Sequence, residues 1–255
     1  MTTRDLNTQK DSFDPVEEEF HKFLIESSDA DDWSGIYKSG WIQYMQDTSR
    51  LEKFIKDILS DSSINIQKKH RVLDIGCGFG SFLKALQPHF EEVCGIDIDE
   101  QRVKWARKRA VGADVKLDSA RKLPWPDEWF DFVVSTDMFE HISYQQQELV
   151  AAELMRVLKP SGYGFITVPN RFQILDEHHM IWFGSWLPNS LRKLYVKWVS
   201  KRDRYECICE RTGKGWKSLF ENQKLQVSIK ARYMKEKDFL IFLFHLTAII
   251  LYVKN

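Results

Sequence analysis

Hydrophobic and polar positions change their spacing along the chain, and these changes mark the predicted elements. Residues 1–68 are charged and aromatic, and many apolar positions recur at intervals of three or four, which is typical of helices. Between residues 71 and 170, short apolar runs rich in β-branched residues alternate with helical spacings. Such alternation predicts a parallel sheet with helices on both faces and ligands at the carboxyl ends of its strands. The pattern therefore predicts an N-terminal helical cap over residues 1–68 and an α/β domain over residues 69–255.

The C-terminal part of the domain has a different pattern. Residues 225–233 and 247–253 are predicted as strands, and the apolar stretch between them as a helix. The uncharged run from Phe239 to Val253 has 15 residues, whereas a membrane-spanning helix needs ~20. We therefore expect no transmembrane segment, and peripheral contact with a bilayer stays open.

An insertion at about residues 171–222 separates the predicted fifth strand from this C-terminal pair. It is rich in aromatic and basic residues, and loops at the carboxyl ends of strands commonly select substrates. We expect it to cover the active site. Its basic side chains form either a solvated helix face or a contact for an anionic substrate; they are Arg192, Lys193, Lys197, Lys201, Arg202 and Arg204.

The most specific local pattern is RVLDIGCGFGSFLKAL, residues 71–86. A short apolar run is followed by Gly76, Gly78 and Gly80, and then by apolar residues at helical spacing. This order predicts a strand, a glycine turn and a helix. Because glycine has no side chain, such a turn lets backbone N–H groups and the helix N-terminus approach a ligand.

The glycine spacing separates the candidate ligands. A dinucleotide fingerprint has its third glycine five positions after the first, where this chain has Ser81, and the G-K-[ST] of a Walker loop is missing. Asp74, two residues before the first glycine, would repel a pyrophosphate and attract a cation. The pattern therefore favours S-adenosylmethionine (SAM), a nucleoside with a sulfonium and an ammonium group and no phosphate. Asp97, 21 residues after Gly76, stands where an acid accepts both ribose hydroxyls.

Four stretches in order resemble the motifs of the class I SAM-dependent methyltransferases, over about residues 69–170. They are VLDIGCGFG, GIDIDE, LPWPDEWFDFVVSTDMFEHI and LMRVLKPSGYGFITVPN. The resemblance implies an α/β fold with a Rossmann-like, seven-stranded, mostly parallel sheet, helices on both faces and an antiparallel C-terminal edge strand. It also implies an S-adenosylmethionine-dependent methyltransferase (EC 2.1.1.-). The pattern is closest to O-methyltransferases that act on small molecules or in glycan and lipid-linked pathways.

The resemblance also implies which residues hold the cofactor. The glycine loop would contact the methionine part, Asp97 the ribose, and Ile98 the adenine ring. The family usually has Asp-Ala where this chain has Ser119-Ala120, so either Asp118 or Ser119 would accept from the adenine edge. The full predicted set is Asp74, Gly76, Cys77, Gly78, Gly80, Asp97, Ile98, Asp118, Ser119, Ala120 and Thr136.

The segment after the predicted fourth strand, STDMFEHISY, carries the candidate catalytic residues Glu140 and His141. Methyl transfer depends on alignment of the acceptor, and a hydroxyl acceptor must in addition lose a proton. Histidine exchanges protons near neutral pH, so His141 is suited to act as the general base, with Glu140 beside it. Alternatively, the Glu-His pair only orients its loop or caps the next helix.

The same segment leaves a metal site open as an alternative. The order Asp137, Glu140, His141 resembles the metal-binding E-x-x-E-H of some O-methyltransferases, with a further ligand from His178 or His179. If residues 137–141 opened a helix, the i, i+3 and i+4 side chains would share a face and suit Mg²⁺ or Mn²⁺. Our prediction is a metal-free site, and the metal-dependent site is the alternative.

Composition limits the partners. Lys plus Arg and Asp plus Glu both number 37, so the net charge of zero provides no general attraction to nucleic acid. The four cysteines match no common zinc or redox spacing, and the acidic, polar N-terminus is unlike a signal peptide. We expect a cytoplasmic protein that methylates an oxygen of a small-molecule or glycan-type acceptor. An N- or C-methyltransferase and a non-catalytic SAM-binding module are the alternatives.

Overall fold

The computed structural model describes residues 14–30, 69–176, 179, 181–200, 208–231 and 248–254, with single residues between 42 and 67. The helices in these ranges are α1 (Pro15–Ala30), α2 (Ser81–Leu86), α3 (Glu100–Arg109), α4 (Tyr144–Val157), α5 (Asn189–Ser200) and α6 (Gly213–Glu221). The strands are β1 (Arg71–Ile75), β2 (Glu92–Asp97), β3 (Asp114–Leu117), β4 (Phe130–Thr136), β5 (Leu158–Pro169), β6 (Leu175–Asp176), β7 (Ile181–Trp182), β8 (Gln226–Ala231) and β9 (Ala248–Lys254). Short 3₁₀ helices cover Phe139–His141 and Gly184–Trp186.

The main sheet has the strand order β3-β2-β1-β4-β5-β9-β8 within the described residues. Strands β1 to β5 are parallel, and their carboxyl ends therefore lie at one edge of the sheet. The Rossmann-like α/β class predicted from the sequence is confirmed. Strand β9 is antiparallel to both of its neighbours, β5 and β8. The predicted antiparallel edge strand is wrong in its position, because β9 lies inside the sheet and β8 forms the edge.

Strand β1 is buried on both faces because helices cover the two sides of the sheet. Successive side chains of a strand point to opposite faces: Leu73 and Ile75 belong to one apolar core, and Val72 belongs to the other. Helices α4 and α6 contribute to the first core, and α2 and α3 to the second. A run without alternation is typical of a strand in a covered parallel sheet.

Helix α1 packs on the outer side of α3. Its Phe20 is buried, with ring centroids 5.4 Å from Phe79 and 5.1 Å from Trp105. Residues 1–68 are otherwise described only in part, so the predicted helical cap stays a prediction. Aromatic residues at positions 33, 37, 41 and 44 have a spacing of three or four that is typical of a helix. These positions and the predicted C-terminal helix lie outside the described residues.

The insertion begins where β5 ends. It contains the β6-β7 ribbon, the 3₁₀ helix Gly184–Trp186 and α5. The chain then returns to the end of β5, where Asn170 bridges to Arg211, and continues into α6. No helix in the described part of the chain is long and apolar enough to cross a membrane.

Candidate functional site

The glycine loop between β1 and α2 is fixed to the end of β2 by backbone hydrogen bonds. The N–H groups of Gly76 and Cys77 both donate to the carbonyl of Ile96, at 2.9 and 3.0 Å. The N–H of Gly78 donates to Oδ2 of Asp97 at 2.9 Å. These bonds bring the carboxyl ends of the two strands together, and the predicted residues of the two motifs meet at this edge.

Two of the glycines meet different surroundings. Both adopt positive φ, 52° at Gly78 and 79° at Gly80, a region that favours glycine. A methyl group at Gly80 would lie 2.7 Å from the Cα of Ala106, so this glycine allows α3 to approach closely. A methyl group at Gly78 would have no described atom within 4 Å. The loop is therefore open to solvent at Gly78, where its backbone can approach a ligand.

Asp74 is the most unusual polar group of this edge. Its side chain is 1% exposed, and its Oδ1 has no hydrogen-bond partner in the described part of the chain. Burial, with a further contribution from the charge of Asp97, raises the pKa of this carboxyl to about 8. Burial and the same two acids also raise the pKa of the Cys77 thiol, which is therefore a neutral group. The site has a deficit of positive charge.

Asp97 ends β2 beside the glycine loop. Besides Gly78, it accepts a hydrogen bond from the N–H of Asp99 at 3.0 Å through Oδ1. Each carboxylate oxygen has about two lone pairs, so both can accept a further donor. Ile98 is 72% exposed and presents an apolar side chain directly after this acid. Asp99 caps α3 by accepting from the N–H of Arg102 at 2.9 Å.

The predicted adenine-edge residues follow β3. The N–H of Asp118 donates to the carbonyl of Asp97 at 3.1 Å, which joins this turn to the cofactor edge. Oδ1 of Asp118 accepts from the N–H of Ser119 at 2.7 Å, and Oγ of Ser119 accepts from Nε of Arg121 at 3.0 Å. Ala120 packs against the first core. The structure brings the turn to the site, and the choice between Asp118 and Ser119 stays open.

The end of β4 corrects one prediction. Thr136 pairs with Thr167 of β5, and Asp137 then adopts a positive φ of 52°. Its Oδ1 accepts from the hydroxyl of Thr167 at 2.8 Å. Only the three residues from Phe139 to His141 form a helical turn, so Asp137 lies before the helix and does not share its face. The premise of the metal alternative is wrong.

Metal ligation is further limited by His179. This buried side chain hydrogen-bonds through Nδ1 to Oδ2 of Asp176 at 2.9 Å. In the described ranges, no group of three or more His, Cys, Asp or Glu side chains is arranged to hold a metal ion. His178 lies outside those ranges.

The two candidate catalytic residues occupy different environments. His141 is exposed, whereas Glu140 is 1% exposed. The returning chain fixes the turn, because the N–H of Cys209 donates to the carbonyl of Glu140 at 2.7 Å. Nε2 of Gln147 donates to the carbonyls of Phe139 and Cys209, both at 2.8 Å. His141 is therefore the member of the pair that can meet a substrate.

Sequence reasoning missed Arg109 as a support of the glycine loop. Its buried guanidinium donates to the carbonyl of Phe79 at 3.0 Å, to Oγ of Ser81 at 2.8 Å and to both carboxylate oxygens of Glu17. Because these partners are distant in sequence, the local pattern carried no signal for them.

A second missed feature is a buried ion cluster in the insertion, which we call the Arg192 cluster. It consists of Arg192, Asp176, Glu210 and His179. Arg192 donates from Nε and Nη2 to Asp176, at 2.9 and 2.6 Å, and from Nη1 and Nη2 to Glu210, both at 2.9 Å. The two interpretations offered for the basic side chains are therefore wrong for Arg192, which neither faces solvent nor is available to a substrate.

Comparison with known proteins agrees with this geometry. Residues 73–166 match the family described as a methyltransferase domain. The chain is 35% identical over 100 residues to a probable S-adenosylmethionine-dependent methyltransferase of Mycolicibacterium smegmatis, covering 39% of this chain and 38% of that protein. It is 34% identical over 124 residues to the cyclopropane-fatty-acyl-phospholipid synthase of Escherichia coli K12, covering 47% and 32%. The matches thus span well under half the length of these curated relatives.

A solved structure extends the comparison of the fold. The S-adenosylmethionine-dependent methyltransferase of Mesorhizobium loti superposes with a TM-score of 0.60 at 16% identity, over 75% of this chain and 94% of that chain. Residues 73–166 therefore match a methyltransferase domain, and the chain shares the fold of a SAM-dependent methyltransferase. S-adenosylmethionine is its cofactor. The residues fit this molecule: Asp74 and Asp97 are buried acids without an ion pair to a described residue, and a methyl group at Gly78 would meet no described atom within 4 Å.

Proposed function

We propose that the protein transfers the methyl group of SAM to a hydroxyl oxygen of a small molecule or of a glycan- or lipid-linked intermediate. The observation that carries methyl transfer is the pair of acids Asp74 and Asp97 at the glycine loop. Neither acid has an ion pair with a described residue, and Oδ1 of Asp74 has no donor there. A phosphate ligand would add negative charge to this pair, whereas a cationic nucleoside compensates it.

The chain's own residues define the roles in this reaction. When bound, SAM supplies an electrophilic methyl group and a neutral thioether leaving group. Asp74 holds negative charge toward the cationic part, and Asp97 accepts from the ribose hydroxyls. The bond from Thr167 to Asp137 fixes the loop after β4, which carries the acceptor-side residues. Rigid placement of this loop supports alignment of the acceptor with the methyl group.

His141 is proposed as the base that accepts the hydroxyl proton. It is exposed in the turn after β4, at the carboxyl edge that also carries the glycine loop. Glu140 is proposed as a positioning residue, because its buried side chain and its bond from Cys209 anchor the turn. The name of the Escherichia coli relative includes a phospholipid, which supports a lipid-linked acceptor.

The test uses SAM labelled in its methyl group, incubated with the purified protein and with lipid and aqueous extracts of the source cells. We expect the label in an alkali-stable methyl ether. His141→Asn should lower the transfer rate by about 100-fold or more and leave SAM affinity unchanged. His89→Asn is the matched control, since His89 lies after α2 and should leave the rate unchanged.

Four results would contradict parts of the proposal. Label in an N-methyl or C-methyl product, or full activity of His141→Asn, would argue against O-methylation with this base. SAM binding without transfer to any component would indicate a non-catalytic module. Activity abolished by EDTA and restored by Mg²⁺ or Mn²⁺ would restore the metal-dependent alternative.

A further inference from the structure

The insertion exposes a set of large apolar side chains that the methyltransferase site does not use. Phe172, Trp182, Phe183, Trp186, Leu191, Leu194, Trp198 and Val199 are each at least 44% exposed, and we call them the exposed apolar face. Four of these are aromatic residues on or beside the β6-β7 ribbon, and the rest lie on α5. Their concentration within residues 172–199 is unusual, because isolated exposed apolar residues are normal but a contiguous group marks an interaction site.

The aromatic half of this face is ordered by its own contacts. The ring of Trp186 lies edge-on to Phe172 and to Phe183, with centroids 5.9 and 5.4 Å apart. Nε1 of Trp186 donates to the carbonyl of Gln173 at 2.9 Å. The rings are therefore held at the surface by a folded scaffold, with their apolar surfaces still accessible.

Helix α5 carries the other members of the face and is anchored from the opposite side. Arg192 and Val196, one turn apart, are buried. At 100° per residue, Leu191, Leu194 and Trp198 lie within about 60° of one another on another side of the helix. Trp198 is 79% exposed. The Arg192 cluster thus fixes α5 in an orientation that presents an apolar stripe outward.

The charge on the exposed part of α5 indicates the partner. Lys193 and Lys197 are exposed on α5, and the helix contains no acidic residue. Exposed tryptophan and phenylalanine favour the interface of a bilayer, aliphatic side chains enter its acyl boundary, and lysines attract anionic headgroups. We infer that the exposed apolar face and the exposed lysines of α5 dock the protein on the surface of an anionic lipid bilayer.

The location of the face connects docking with the reaction edge. Phe172 lies three residues after the end of β5, at the sheet edge that also carries the glycine loop and the turn of His141. Docking would place this edge near the bilayer. An acceptor dissolved in the membrane would then reach the site without crossing the aqueous phase. Docking itself does not depend on the nature of the acceptor.

The test is sedimentation of the full-length protein with vesicles of phosphatidylcholine and phosphatidylglycerol, and with vesicles of phosphatidylcholine alone. Binding is expected for the anionic vesicles and should weaken with added salt. Trp198→Ser should lower the partition coefficient about tenfold or more. The pair Lys193→Gln and Lys197→Gln should lower it by about fivefold for each lysine, and only on anionic vesicles.

Val111→Ser is the matched control, because Val111 is 77% exposed but follows α3, outside the face. It should bind vesicles as the wild type does, and all variants should retain SAM affinity, which reports that they are folded. Absence of binding to anionic vesicles would overturn the inference. Wild-type binding by Trp198→Ser would also overturn it. A dimer in light scattering that Trp198→Ser converts to a monomer would assign the face to a second copy instead.

Discussion

Two pairs of buried acids distinguish the sheet edge from the insertion. Asp176 and Glu210 in the insertion enclose Arg192, which donates two hydrogen bonds to each of them. Asp74 and Asp97 at the glycine loop have no such cation in the described part of the chain. The first pair is satisfied within the fold and serves its stability. The second pair lacks a compensating cation among the described residues, which is what a site for a cationic ligand requires.

The pKa shifts of three of these acids show how far a neighbouring cation offsets burial. Burial acts to raise the pKa of Asp176, but the hydrogen bond from His179 and the charge of Arg192 outweigh it and lower the pKa. At Glu210 burial still outweighs Arg192, and its pKa is raised. Within the described residues, the neighbouring charge that acts on Asp74 is another acid, and burial together with this charge raises the pKa of Asp74 to about 8. Asp74 therefore favours a proton or a bound cation at neutral pH.

The largest effect is expected when Arg192, the cation between Asp176 and Glu210, is removed. Arg192→Met keeps much of the side-chain volume and leaves two buried acids without compensation. We expect a loss of about 3–5 kcal/mol in the free energy of unfolding, measured by denaturant titration. Lys193→Met, on the exposed side of the same helix, should change it by less than ~0.5 kcal/mol. A loss below about 1 kcal/mol in Arg192→Met would mean that the cluster does not hold the insertion.

The second prediction concerns the stability of the protein without SAM. The folded pKa of Asp74 lies above its unfolded value of 3.8, so the native state binds more protons between these values. The contribution of this group to stability therefore falls as pH rises from about 4 to about 8. Asp74→Asn cannot ionise and should become more stable than the wild type by more than ~1 kcal/mol at pH 8. Thermal unfolding at pH 5 and pH 8 measures this, and an equal pH dependence of the two proteins would contradict it.

The third prediction separates the ribose acceptor from its neighbour. Asp97→Asn keeps an oxygen that can accept from Gly78 but loses its charge, so SAM affinity should fall about tenfold or more. Asp99→Asn is matched in size and charge change, and asparagine also caps helices well, so SAM affinity should stay unchanged. Calorimetric titration with SAM compares them. Equal affinities of the two variants would remove Asp97 from the cofactor site.

The sequence predicted the loop better than the insertion because the two depend on different distances along the chain. The turn from β1 to α2 is set by glycine, by strand burial and by helix spacing, all within residues 71–86. The position of Asp97 follows from the same strand-helix alternation. The positive φ of Asp137 depends on Thr167, a residue 30 positions away on another strand. No local pattern encodes that contact.

The burial of Arg192 was not predicted, for a related reason. A basic residue at helical spacing among other basic residues is typical of a solvated face. Its burial depends on Asp176 and Glu210, which lie 16 and 18 residues away on either side. Only the fold brings them together. The sequence pattern also does not predict the order of the last two strands in the sheet. The spacing of apolar residues predicts β8 and β9 as strands but not which of them pairs with β5.

The most direct test of the central claim, that Asp74 and Asp97 form the site for the cationic cofactor, is the number of protons released when SAM binds. Calorimetry at pH 7 in buffers of different ionisation enthalpy measures that number for the wild type and for Asp74→Asn. Because the Asp74 carboxyl has a pKa of about 8 without ligand, a cation that binds beside it should displace its proton. We predict that the wild type releases about one more proton per SAM than Asp74→Asn, which should also bind SAM more weakly. Equal proton release and equal affinity in the two proteins would contradict the account.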